Sequence, residues 1–179
     1  MLILVGASAS GKTEIAKELL KSFNISKVVT HTTRPKRINE TNDIDYHFVN
    51  KDTFLSLLNK NRFVEHSLYN GNYYGCSKDE IGDNKVVILD PNGLKAFNRL
   101  NDKRIVSVLI LTDEKTRYQR MISRGDSLEN VKKRIENDRI SFDIKNIDKV
   151  DFVVKNEDKP IKEIAKEIYD LYINELKRR

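Results

Sequence analysis

Gly6-Ala7-Ser8-Ala9-Ser10-Gly11-Lys12-Thr13 fits G-x-x-x-x-G-K-S/T at every fixed position. The chemistry of a phosphate chain dictates those types. Glycine lets the backbone turn tightly and bring its N–H groups against phosphate oxygens. A helix that follows aims its positive end at the same anion. Lys12 is placed to reach the β- and γ-phosphates of a nucleoside triphosphate, and Thr13 to ligate magnesium. An apolar run, Leu2–Val5, precedes the loop, and Ile15, Ala16, Leu19, Leu20 and Phe23 follow it at helical spacing. That strand–loop–helix context is what the motif requires.

Other groups suit chemistry on a second anion. Arg34 and Arg37 carry guanidinium forks that match phosphate oxygens. Tyr46 and Tyr74 carry hydroxyls able to donate to the same phosphate. Glu65 can accept from the N1–H and exocyclic amine of guanine. Each has a plainer reading when taken singly. Two arginines three apart suit a solvated face, and Tyr73-Tyr74 suits cross-strand packing. Val86-Val87-Ile88-Leu89-Asp90 is an apolar strand closed by a carboxylate. Such an Asp holds magnesium in P-loop proteins. An Asp before Pro91 and Gly93 also opens a turn, and both readings stand here.

The elements that must position these groups follow from hydrophobic periodicity. Strands are expected at Leu2–Val5, from Val28-Val29, at Lys85–Leu89, Ile105–Leu111 and Asp151–Val154. Helices are expected at 13–23, 94–100, 114–123, 128–145 and 161–176. Alternation of this kind predicts an α/β fold, a parallel P-loop sheet flanked by helices. Residues 31–83 break the alternation. This polar stretch holds four of the seven tyrosines. It reads as strands at Tyr46–Val49, 63–69 and 72–75, a helix at Asp52–Leu58, and a tight hairpin at Asn70-Gly71. The expected organisation is therefore a core of residues 1–30 and 84–179, a small mostly-β insertion at 31–83, and a short helical lid at about 120–140.

The 179 residues suit one domain with a small insertion. The net charge of +6 comes from 33 basic against 27 acidic residues. That excess steers anionic substrates, but no basic run with interleaved aromatics marks nucleic-acid binding. Cys76 is the only cysteine, so an internal disulfide is excluded. No apolar run reaches the roughly 20 residues of a membrane span. No secretory leader precedes the loop. A cytoplasmic protein, monomeric or homodimeric, is expected.

In order and spacing these residues resemble the guanylate kinase family. Thr32-Thr33-Arg34-Pro35-Lys36-Arg37, Glu40 and Asp45-Tyr46-His47-Phe48 are similar to the family's T-T-R-x-P-R-x-G-E-x-x-G-x-D-Y-x-F string. Phe63-Val64-Glu65 resembles its F-x-E, and Gly71-Asn72-Tyr73-Tyr74-Gly75 its G-N-Y-Y-G. The resemblance runs from Gly6 to Asp151–Asn156. It implies ATP as co-substrate, Mg2+, and GMP as acceptor. It puts the GMP phosphate on Arg34, Arg37, Tyr46 and Tyr74, and guanine on Glu65. Thr30 and Cys76 lie where the family places Ser or Thr hydroxyls that contact the substrate. Arg120-Met121-Ile122-Ser123-Arg124-Gly125 looks like the family's lid string, with Arg134 as a third catalytic arginine. Asn156 is implied beside adenine, with a loop-capping Asn as the equal alternative.

The sequence also leaves the family pattern. A thiol at Cys76 is a weak donor. The segment around Asp90 keeps one carboxylate of the usual two, and residues 77–84 are short. A kinase for another phosphorylated acceptor, such as a ribose phosphate, therefore stands beside the guanylate kinase reading. A binding module without catalysis is a second alternative, opposed by the complete Gly11-Lys12-Thr13.

Overall fold

The computed structural model of the chain describes residues 1–69, 71–143, 145–157 and 159–179. Its larger sheet is parallel throughout. It comprises β1 (Leu2–Val5), β2 (Ser26–Lys27), β7 (Lys85–Leu89), β8 (Val106–Leu111) and β9 (Phe152–Lys155), in the order β2-β7-β1-β8-β9. All four residues of β1 are buried, as a central strand covered on both faces must be. Alternation divides them. Leu2 and Leu4 join a core with Ile15 and Leu19 of α1 (Lys12–Ser22) and Ile164, Ile168 and Tyr172 of α6 (Ile161–Arg178). Ile3 and Val5 face the opposite layer, with Leu94 and Phe97 of α3 (Pro91–Asn98). Each such buried aliphatic or aromatic side chain contributes about 1.5–3 kcal/mol.

A second sheet is built from residues between α1 and β7. β3 (His31–Thr32), β4 (His47–Phe48), β5 (Phe63–Tyr69) and β6 (Asn72–Ser77) lie in the order β4-β3-β6-β5. Its helix, α2 (Lys51–Asn59), sends Phe54 underneath, fully buried. Phe54 stacks on Phe63 at 4.5 Å and on Tyr73 at 5.2 Å. The β5–β6 register carries a bulge between Phe63 and Glu65. The hairpin expected at Asn70-Gly71 lies partly outside the described residues, because Asn70 is not among them. Two further helices, α4 (Glu114–Ser123) and α5 (Leu128–Ser141), pack through Met121, Val131 and Ile135, with Ala9 against them.

Several boundaries differ from expectation, and four of the differences have a local reason. β2 pairs at Ser26–Lys27 rather than from Val28, because bonding to the neighbouring strand begins with Ser26 N–H on Asn84 O and reaches Val28 only through its N–H on Val86 O. α3 starts at Pro91 rather than Leu94, since Asp90 caps it and Pro suits the first turn. α5 ends at Ser141 rather than Lys145, where Asn146 N–H turns back to Asp143 O. β6 runs two residues past Gly75, pairing Ser77 with Phe63. Among the described residues no helix is long and apolar enough to cross a membrane.

Candidate active site

Helices α2, α3, α4 and α5 each begin with a side chain that accepts from the helix's first turn. α1 has no such cap. Gly11 stands at its N-cap position with φ of 95° and no side-chain hydrogen bond. α6 also lacks one, but at α1 the uncapped first turn directly follows the glycine-bearing loop, leaving its N–H groups without a side-chain acceptor, as an anion site requires. Ala9, Ser10, Gly11, Lys12, Thr13 and Glu14 line a cavity of about 260 Å3 together with Arg120 and Arg124. The loop is tightly nested. A Cβ on Gly6 would lie 2.6 Å from Ile110 O and 2.7 Å from Ser10 Oγ, so only glycine fits there. Lys12 Nζ donates to Gly6 O at 2.5 Å and Ala7 O at 2.8 Å. Burial pushes its ammonium down to about 8, with Asp138 opposing and Arg117 reinforcing the shift. A desolvated cation whose partners are two carbonyls and, at 3.4 Å, the Ser10 hydroxyl is poised to exchange them for phosphate oxygens.

The residues expected to bind the acceptor phosphate meet on the second sheet. Arg34 lies over the Tyr46 ring at 5.5 Å and the Phe48 ring at 5.6 Å. Tyr46 and Tyr74 stand edge to face at 6.2 Å. The Tyr74 hydroxyl, after Glu40, also favours the charged form of Arg34. The Tyr73-Tyr74 pair is thereby divided: Tyr73 packs on Phe54 and Tyr74 joins the arginine. One participant was not assigned a role from the sequence. Glu40 accepts from both Arg34 terminal nitrogens, at 2.6 and 3.0 Å, and from Arg37 N–H at 2.8 Å. Those hydrogen bonds hold its carboxyl at about 2. The Arg37 residue is exposed, and Thr30 is half-buried with its carbonyl accepting from His47 N–H.

Glu65, expected at the guanine, stands one strand away on β5. Glu65, Asp90, Ile88 and Asn92 line a shared cavity of about 560 Å3. Burial raises the Glu65 carboxyl, the Asp90 charge adds to the rise, and Cys76 N–H opposes it. Two sequence expectations are corrected here. Asp90 Oδ1 accepts from Gly93 N–H at 2.8 Å and caps α3, as the turn reading expects; it lies apart from Thr13, against the magnesium reading, but shares a cavity with Glu65, in keeping with the substrate-side role the resemblance also gives it. Cys76 is fully buried in the apolar layer with Ile3, Val5 and Leu94. Burial pushes its thiol up to about 12. It should therefore ignore a thiol-specific reagent in the native protein and react only as the chain unfolds. Rapid native-state labelling, read by mass spectrometry, would contradict that placement.

Arg120 and Arg124 project from α4 towards the loop cavity, whereas Arg134 stands on α5. Arg120 donates to Ala9 O at 3.4 Å and Asn156 O at 3.2 Å. Arg124 is paired with Asp126 at 2.5 Å, and Arg134 approaches the same carboxylate at 3.8 Å. One carboxylate thus gathers two of the three arginines expected in a lid. Asn156 is corrected as well. It is 1% exposed, and its amide donates to Ser10 O at 2.7 Å, so it braces the loop instead of lining a base pocket. Two residues that bear on the loop carried no sequence signal: Arg117 and Asp138 form a buried ion pair at 2.8 Å against Ser8.

Fold and site together define a P-loop phosphotransferase with a second, smaller sheet and an arginine-bearing pair of helices. The family model for guanylate kinase matches residues 1–173. A guanylate kinase of Anaplasma phagocytophilum (strain HZ) is 31% identical, over 96% of this chain and 84% of that protein. The crystal structure of guanylate kinase from Anaplasma phagocytophilum matches with a TM-score of 0.67 at 26% identity, covering 98% of this chain and 85% of that one. MAGUK p55 subfamily member 7 of Danio rerio is 39% identical over 53% of this chain, which is 18% of its own length. The chain belongs to the guanylate kinase family and is a nucleoside monophosphate kinase.

Proposed function

We propose that this chain transfers the γ-phosphoryl group of ATP to GMP through the residues assembled above. The observation that carries the reading is the pairing of an uncapped, Lys12-bearing loop with a separate arginine–tyrosine cluster beside Glu65. The loop N–H groups and Lys12 hold the donor phosphates. Arg34, Arg37, Tyr46 and Tyr74 hold the acceptor phosphate once it displaces Glu40. Arg120, Arg124 and Arg134 surround the moving phosphoryl group. Two anions repel, so catalysis is chiefly charge neutralisation and alignment. The acceptor phosphate oxygen is already ionised near neutral pH, so no general base is required. Closure of the helices over the loop excludes water and suppresses hydrolysis.

Thr13, exposed on the loop cavity, fits magnesium held mainly by nucleotide phosphates. Among the described residues no group of three His, Cys, Asp or Glu could cage a metal alone. Bound there, the ion would neutralise phosphate charge. Both substrates being charged metabolites, a cytoplasmic site of action is part of the same proposal.

A coupled ADP-release assay across GMP, dGMP, AMP, CMP, UMP and ribose phosphates tests the reading. GMP-dependent release is expected to dominate. Strongest release with a ribose phosphate would favour the alternative acceptor, and no acceptor-dependent release would favour a binding module. Glu65→Gln loses a charged acceptor facing guanine, worth about 1.5–3 kcal/mol. It should raise KM for GMP by roughly 10- to 150-fold and leave KM for ATP unchanged. Equal loss for both substrates would remove Glu65 from the base site.

A further inference from the structure

The phosphate loop is held from behind, residue by residue. An anion-binding loop must turn its N–H groups inward, which leaves its carbonyls needing donors on the outside. Ser10 O takes Asn156 Nδ2 at 2.7 Å and Thr112 Oγ1 at 3.2 Å. Ala9 O takes Arg120 Nη1 at 3.4 Å. Ser8 O takes Arg117 Nη1 at 3.4 Å.

Ser8 differs from its neighbours in being gripped on both sides of the residue. Its N–H donates to Asp138 Oδ2 at 2.9 Å and its hydroxyl to Asp138 Oδ1 at 3.2 Å. Arg117 closes the ring, donating to Asp138 Oδ2 at 2.8 Å. Arg117 is 7% exposed and Asp138 9%. A buried ion pair gives little net stability when apolar side chains of similar volume would fill the same space. Its hydrogen bonds, by contrast, fix orientation.

From this geometry we propose that Arg117 and Asp138 are positioning residues for the ATP half of the reaction: they fix the Ser8 peptide and, through α4 and α5, set the lid arginines in register with the loop. Both α4 and α5 are involved, since Arg117 lies one turn before Arg120 and Asp138 one turn after Arg134. The pair also supplies two charges of opposite sign that act on Lys12. Removing both partners therefore changes geometry more than charge. Acceptor residues Arg34 to Tyr74 stand on the other sheet and are untouched.

The inference rests on the kinase reading, and its test separates the two. Wild-type GMP-dependent ADP release establishes that reading, and without it the kinase reading itself fails. KM for ATP and for GMP are then measured with melting temperature for Asp138→Ala and for the apolar double variant Arg117→Met/Asp138→Leu. Asp138→Ala should raise KM for ATP about 10- to 100-fold, because small displacements of a positioning group cost that much. KM for GMP should stay within about twofold. The double variant should recover the melting temperature, as replaced buried pairs do, yet keep the raised KM for ATP. Recovery of both would make the pair structural and overturn the proposal. So would equal rises in both KM values. Should the double variant not fold, Arg117→Lys decides. It keeps the charge but loses the fork, and an ATP-to-GMP ratio of KM unchanged from wild type would overturn the proposal.

Discussion

Replacing Lys12 by alanine is expected to lower kcat about 10²- to 10³-fold, the usual cost of removing one preorganised donor from a developing charge. The fold should survive. Lys12 sits in the first turn of α1, where alanine is the best helix former. Its Nζ reaches only Gly6 O, Ala7 O and Ser10 Oγ, and Ala7 O keeps Ser10 N–H at 3.2 Å. A thermal melt beside the ADP-release assay separates the two effects. Near-native turnover would sink the assigned role. The wild-type enzyme offers a second readout. Burial holds the free-enzyme ammonium at about 8, so the cation is present below that pH and lost as pH rises through it. In the free enzyme kcat/KM for ATP should therefore fall above pH 8, by about tenfold per unit. The fall in kcat should begin higher, because bound phosphates favour the charged form. Lys12→Ala should abolish the kcat/KM limb.

What the sequence disclosed depended on how local each signal was. The loop was legible because its parts lie within eight consecutive residues and its strand and helix adjoin it. β1 and β8 were legible because strands covered on both faces read as apolar runs. Arg34, Tyr46 and Tyr74 were named before their meeting place was known. The sheet then joined them, and strand alternation sent Tyr73 to the opposite side. Signals that needed the third dimension stayed hidden. Asp138 stands 130 residues from Ser8, on a helix whose charged neighbours look alike in one dimension. Nothing in Cys76's position along β6 tells whether its thiol meets a ligand or a core, and the apolar layer beneath decides it. Glu40 was visible as a carboxylate near two arginines. Its full occupation of the Arg34 fork is a property of the folded loop.

Glu40 and Asp126 also share a logic. Each is a carboxylate lying on arginines that the mechanism assigns to phosphate, and neither arginine is left to drift in solvent. Arg34 is held as a planar fork by the same two-oxygen geometry that a phosphate presents. Phosphate binding is then an exchange of anions at a preformed site, which limits the side-chain ordering that binding must oppose. The loop follows a neutral version of that logic, with carbonyls in place of a carboxylate on Lys12.

Gly11→Ala should be nearly as damaging as loss of Lys12, for a different reason. Gly11 has φ of 95°, a conformation that costs an L-residue about 1–2 kcal/mol. A Cβ there would also lie 2.0 Å from Asn156 Nδ2. A flexible side chain could swing aside, but Asn156 is almost fully buried and its amide is bound to Ser10 O. Its own carbonyl is held by Thr112 and Arg120. The strain must therefore pass into the loop, moving the N–H groups that face the triphosphate. KM for ATP should rise at least about 100-fold, the effect expected of a displacement near 1 Å. Gly71→Ala is the control. It shares the positive φ, at 74°, but a Cβ there meets nothing within 4 Å. That variant should lose stability and keep its ATP affinity. Native ATP affinity in Gly11→Ala would mean that Asn156 yields, and the buttress behind the loop would then be looser than its hydrogen bonds imply.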